Sequence, residues 1–388
     1  MNRFRDLLLS LLVAMVALSS CRKEEEIIPS SRVRVGVPGR PGKIKGFFLL
    51  NEANMGSNKA TLDYYDYTTA FYTRNIYAER NPNVVKELGD VGNDLQIHGS
   101  RLYAVINVSG LIEVMDVRTA KHIGKLSIPN CRYIAFKDGF AYVSSYAGPV
   151  KIDPNARLGY VAKVDTATLK VVAECPVGYQ PEELLIQGDK LYVANSGGYR
   201  APNYDKTISI IDLKTFTEEK QVDVAINLHR LQLDNYGKIW VSSRGDYKDV
   251  PSRLFVFDPK TERVTKTLEV GCSNMALSGD SLFVYSSEWS YLTGKNTISY
   301  TVIDTKKQEV IDRNFIKDGT DKEIQLPYGL AINSEQGELY LTDAQDYVHP
   351  GQLHCYDLKT GRRKWSVKTG DIPAHIAFTT QPLHPLHH

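Results

Sequence analysis

The chain has 388 residues, with 47 Lys and Arg against 45 Asp and Glu, and a formal net charge of +2, so no bulk field attracts nucleic acid. Apolar residues at 42% and charged residues at 24% suffice for a packed core and exclude a disordered chain. The 23 tyrosines, beside 3 tryptophans and 12 phenylalanines, favour β-structure, where a flat amphipathic ring fits a pleated face.

Arg3 and Arg5 precede an apolar run from Leu7 to Leu18. The run falls short of the ~20 residues of a spanning helix but fits a secretory signal over residues 1–20. Leu18-Ser19-Ser20-Cys21 resembles a bacterial lipobox, which implies cleavage before Cys21 and lipidation of that residue. Lys23-Glu24-Glu25 behind it resembles the surface-export signal of Bacteroidetes lipoproteins. The expected location is therefore the outer membrane, held by lipid alone and facing the extracellular side. Residues 21–45 are rich in Pro, Gly, Ser and Arg without apolar periodicity, which reads as a flexible tether. Cys131, Cys175, Cys272 and Cys355 lie far apart with no C-x-x-C pair, which leaves zinc and thioredoxin-like redox chemistry unsupported; export would permit disulfides of unassigned connectivity, and buried free thiols are favoured over them.

The body, residues 46–382, repeats. A short strand centred on an aromatic recurs at Phe48, Tyr103, Tyr142, Tyr192, Trp240, Phe283 and Tyr340. A second apolar strand ends in Asp at Asp66, Asp116, Asp165, Asp212, Asp258, Asp304 and Asp357, spaced 46 to 53 residues apart. An Asp there accepts from turn N–H groups, which is hairpin chemistry rather than catalysis. An apolar triplet precedes each of the six later aromatic strands, from Leu95-Gln96-Ile97 to Leu330-Ala331-Ile332, and a seventh, Ile376-Ala377-Phe378, stands at the C-terminus. The first aromatic strand has no triplet before it, and the last triplet has no strand after it. One arrangement satisfies both: an all-β, single seven-bladed β-propeller, its ring closed by the C-terminal strand completing the first blade. Periodicity thus overrides the two or three domains that length suggests, and residues 383–388 remain as a tail.

Function in such a fold falls to loops and to the channel mouth. Five stretches between the aromatic and Asp strands exceed the ~2–5 residues a hairpin needs, and all leave on one face. They carry Tyr146, Tyr199, Arg244, Trp289 and Tyr347, a rim suited to a large, partly apolar ligand. The positions before each triplet form a second ring. It includes Asp94, Tyr133, Glu183, Arg230, Asn274 and His375, with Arg132, His229 and Tyr328 one step earlier. These groups either meet a polar ligand or bridge blades and structural water. No nucleophile-elbow, P-loop or H-E-x-x-H motif is present, so an enzyme is not expected, and no metal or cofactor is required.

The Tyr-Val strands and Asp-Lys-Thr turns resemble YncE-like seven-bladed propellers. With the lipobox Cys21 and Lys23-Glu24-Glu25, the chain is similar to BtuG-type surface lipoproteins. That resemblance implies capture of cobalamin (vitamin B12) or a related corrinoid, and delivery to a BtuB-like TonB-dependent outer-membrane transporter. No short motif defines a corrinoid site, so the rim and ring stand on the repeat alone. The alternatives are a surface protein for glycan, haem or protein, or a propeller lyase or lactonase using His229 with Glu183 or His375 with Asp94.

Overall fold

A computed structural model describes residues 29–84, 88–290 and 295–385. Cys21 with its flanking signals, Tyr291, and the last three residues of the tail lie outside the described residues.

The strands, β1 to β29 in chain order, assort into seven antiparallel sheets. Blade 1 runs β1 (Ser31–Arg34), β4 (Phe71–Arg74), β3 (Thr61–Asp66), β2 (Gly46–Asn51) and β29 (Pro373–Thr379) from the outside inward. The other six blades are four-stranded meanders. Their inner strands are β5 (Gly92–His98), β9 (Cys131–Lys137), β13 (Pro181–Gln187), β17 (Leu228–Leu233), β21 (Asn274–Ser278) and β25 (Pro327–Asn333). Each packs beside the next, and β29 sits between β25 and β5. The register Gly46↔Thr379 through Asn51↔Pro373 closes the ring, and the Lys45 N–H donates to the Thr379 carbonyl at 2.8 Å.

The sequence forms this fold because both faces of the middle strands are covered by neighbouring blades. In β2, Phe47, Phe48, Leu49 and Leu50 are fully buried, a continuous apolar run rather than a half-wet alternation. The outermost β16 (Thr217–Asp223) reads TEEKQVD and is largely exposed.

All seven repeat aspartates close their turns. Asp66, Asp116, Asp165, Asp212 and Asp357 accept from N–H groups two or three residues on at 2.7–3.1 Å, for example Thr68 to Asp66 at 2.7 Å and Thr360 to Asp357 at 2.7 Å. Asp258 and Asp304 bond Lys260 and Lys307 at 3.0 and 2.9 Å. Four residues past each Asp the backbone turns left-handed, at Ala70, Ala120, Leu169, Phe216, Glu262, Gln308 and Gly361. That is the type I turn with a bulge that suits the twist of two antiparallel strands.

Three departures from the sequence reading have local causes. The supposed tether is only partly one: β1 pairs with β4 from Ser31↔Arg74 to Arg34↔Phe71, making blade 1 five-stranded. Val35 then enters the core beside Trp365, and the Gln336 side chain both accepts from the Arg40 N–H and donates to its carbonyl. The tail docks too, Leu383 packing on the core under Tyr64 and the His384 N–H donating to the Arg118 carbonyl at 2.7 Å. Finally, the loop expected after Ser286 is a raised hairpin. There β22 (Ser281–Ser290) and β23 (Lys295–Asp304) stay paired out to Ser290↔Lys295.

No helix among the described residues is long and apolar enough to cross a membrane. The four described cysteines are free and buried, and burial pushes the Cys131 and Cys272 thiols up to about 12. These four are expected to resist an aqueous disulfide reagent at pH 8 and to react once urea unfolds the chain, as read by thiol release. Prompt release from native protein would contradict the packing.

Candidate functional site

The inner strands all begin on one face, and so do the loops that follow the second strand of each blade. Between them opens a cavity of about 1050 Å³. Nine of the fourteen ligand-binding candidates line it: Arg132, Tyr133, Tyr199, His229, Arg230, Arg244, Trp289, Tyr328 and Tyr347. Rim and ring are thus two levels of one concavity. Trp289 stands on the raised hairpin and is 53% exposed, while Tyr328 and Tyr347 meet edge to face with centroids 6.1 Å apart.

The remaining five candidates support the wall rather than line it. Asp94 accepts from the Leu95 N–H at 2.8 Å and, across the blade boundary, from the Ile134 N–H at 3.0 Å. Glu183 likewise accepts from the Leu231 N–H of the next blade at 2.7 Å. Asn274 accepts from Met275 at 2.9 Å and donates to the Tyr328 carbonyl at 3.2 Å. Asp94 and Glu183 thus satisfy strand N–H groups of the neighbouring blade, and Asn274 satisfies a carbonyl of its neighbour. Tyr146 is buried and donates to Glu182. His375 pairs with Glu52 at 3.1 Å.

One buried carboxylate organises the wall. Glu182, whose side chain is 1% exposed, receives Arg132 at 3.0 Å and Arg244 at 3.1 Å together with the Tyr146 hydroxyl. Burial works to raise its pKa, yet the two guanidinium groups outweigh that and hold it at about 2. Arg132 also lies over the Tyr146 ring at 4.9 Å, a cation–π contact strengthened by the dry surroundings. Burial raises the Asp94 and Glu183 carboxyls, because the compensating charges there are weaker.

His229 is the opposite case. Burial first, and then Arg244, Arg230 and Arg132, drive its pKa well below the ordinary range, so the imidazole is neutral at pH 7. Its Nε2 and the Tyr133 hydroxyl share a hydrogen bond of 3.0 Å. The two histidines weighed as acid–base groups therefore pair with Tyr133 and Glu52 rather than with Glu183 and Asp94. Among the described residues no group of three or more His, Cys, Asp or Glu is arranged to hold a metal ion.

Sequence reasoning missed Glu52 and Asn54 as lining residues. Glu52 also accepts from the Tyr328 hydroxyl at 2.6 Å, and Asn54 donates to the Tyr347 carbonyl. Both lie in blade 1's counterpart of the rim loops, which carries no aromatic and so gave no signal. Counting one loop per blade would have found it.

Comparison with known proteins agrees with the fold. A chain of hydrazine synthase from Kuenenia stuttgartiensis is 18% identical over 69% of this chain and 77% of that one, with a TM-score of 0.57. At that identity the likeness concerns architecture alone. A search of curated proteins finds no match. A family model described as a domain of unknown function, DUF5074, matches residues 45–379, the whole ring from the closing contact at Lys45 to the end of β29, which fits the YncE-like propeller class expected from the repeats. The chain belongs to the DUF5074 family.

Proposed function

We propose that this propeller captures cobalamin or a related corrinoid at its mouth, as a lipid-anchored surface protein, and hands it to a BtuB-like TonB-dependent outer-membrane transporter. The observation that carries the reading is the cavity: about 1050 Å³, with aromatic rings at the rim and the partly buried guanidinium groups of Arg132, Arg230 and Arg244 in the wall. A corrin is broad and partly apolar, and its edge bears amides. Ring faces take up the apolar surface, while Arg and Tyr donors meet the amide carbonyls. Glu182 holds Arg132 and Arg244 in place before any ligand arrives, which lowers the ordering cost of binding. Capture requires no bond-making, and release follows when the transporter offers competing contacts. The lipobox ending at Cys21 and the Lys23-Glu24-Glu25 signal support the outward-facing anchor.

The test is gel filtration of the chain from residue 22 onward with cyanocobalamin at low micromolar concentration. The ligand's visible absorbance is expected to travel with the protein. A colourless protein peak would end the corrinoid reading and turn the search to glycans, haem and proteins.

A further inference from the structure

The three arginines of the cavity wall are not equivalent. Arg132 and Arg244 are both committed to Glu182, at 3.0 and 3.1 Å. Arg230 is held more loosely, by Glu183 and by the Tyr133 ring, whose centroid is 5.3 Å from its guanidinium carbon. Its ion pair with Glu183 is 3.7 Å long, beyond hydrogen-bond length, while the other oxygen of that carboxylate accepts from the Leu231 N–H at 2.7 Å. The Nε of Arg230 is buried and finds no partner among the described residues, and the same holds for His229 Nδ1 and Ser287 Oγ. All three residues line the one cavity.

A buried guanidinium N–H without an acceptor is costly until one arrives. Its planar fork suits an oxyanion better than a carbonyl. Arg132 and Arg244 share the charge of Glu182 and the His229 imidazole is neutral, so the guanidinium with a donor to spare is Arg230, and one guanidinium matches one negative charge. We propose that Arg230 is the seat of a monoanionic phosphate ester of the ligand, with His229 and Ser287, which line the same cavity, as neutral hydrogen-bonding groups. This rests on the corrinoid reading, in which the phosphodiester of the nucleotide loop occupies the seat while the corrin spreads over the aromatic rim.

The experiment compares cyanocobalamin with dicyanocobinamide, which shares the corrin but lacks the nucleotide loop and its phosphate. Calorimetry is run on the wild type, Arg230→Met and Arg230→Lys. The wild type is expected to prefer cobalamin, and Arg230→Met to lose roughly 10- to 100-fold of that preference, the range of a charge-assisted hydrogen bond. Arg230→Lys keeps the charge without the fork and should fall between. Because the readout is a ratio of two ligands on one protein, a general loss of fold does not imitate it. An unchanged ratio in Arg230→Met overturns the proposal.

A second arm uses inorganic phosphate without any corrin. At tens of millimolar, against chloride of matched ionic strength, it should raise the wild-type unfolding midpoint more than that of Arg230→Met. If neither corrinoid binds the wild type, the capture reading fails. The phosphate arm then decides the subsite alone: selective stabilisation sustains it, and equal stabilisation of both proteins ends it.

Discussion

Truncation after Ile372 is expected to leave a chain with no soluble, cooperatively folding state. The deleted β29 is the inner strand of blade 1 and pairs along the whole of β2. Its Phe378 packs against Phe47 with ring centroids 5.9 Å apart, and Ala377 lies in the cluster that buries Phe48 and Leu50. Without it, Phe47, Phe48, Leu49 and Leu50, all at 0% exposure, lose their cover. At about 1.5–3 kcal/mol for each large apolar side chain, these four alone lose about 6–12 kcal/mol, comparable to the ~5–15 kcal/mol that separates folded from unfolded domains. The break also leaves an unpaired strand edge, which favours aggregation. Soluble yield and a thermal melt of residues 22–372 against 22–388 provide the check. A cooperative transition near the full-length temperature would mean that closure is dispensable.

Replacing Glu182 by Ala should cost about 3–5 kcal/mol, the usual penalty for removing one partner of a buried ion pair. Arg132 and Arg244 would stay buried without their shared counter-charge, and the Tyr146 hydroxyl would lose its acceptor. The pH dependence carries a definite sign. The folded carboxyl sits at about 2 against an ordinary 4.5, so the stabilisation is present in full above pH 4.5 and drains as pH falls toward 2. Its integral is on the order of 3 kcal/mol. Urea melts at pH 7 and pH 3 should therefore show the gap between wild type and Glu182→Ala narrowing on the acid side. A gap that stays constant would show that charge pairing is not what holds Glu182 in place.

The seven-fold count and the ring closure were legible because they depend on local chemistry. An Asp with N–H donors two and three residues on makes its hairpin wherever it occurs, and the unmatched triplet at Ile376-Ala377-Phe378 could serve only the unmatched strand at Phe48. What escaped depends on distant partners. The Asp94 carboxylate bonds the Ile134 N–H, which belongs to the next blade, so its sequence neighbours cannot show whether it faces ligand or strand. β1 was hidden because Ser31-Arg32-Val33-Arg34 has little apolar pattern, and it pairs through backbone with β4 some forty positions on. The raised hairpin that carries Trp289 has no strand signature in sequence, because Ser286-Ser287-Glu288 is polar. Polar side chains still form a ladder when both strands continue past the blade.

The seam between Gly46 and Thr379 also sets the order of events during synthesis. β2, β3 and β4 leave the ribosome early, yet the strand that completes their sheet is among the last segments made. At about 5–20 residues per second, translating the stretch from residue 52 to residue 372 takes roughly 15–65 s. Throughout that interval the first blade presents the open edge of β2 and its run of Phe and Leu, while each later blade completes itself within one repeat. The first blade to be born is the last to be finished, and until Pro373–Thr379 docks on β2 the exposure is confined to that one edge rather than spread over the molecule as a whole.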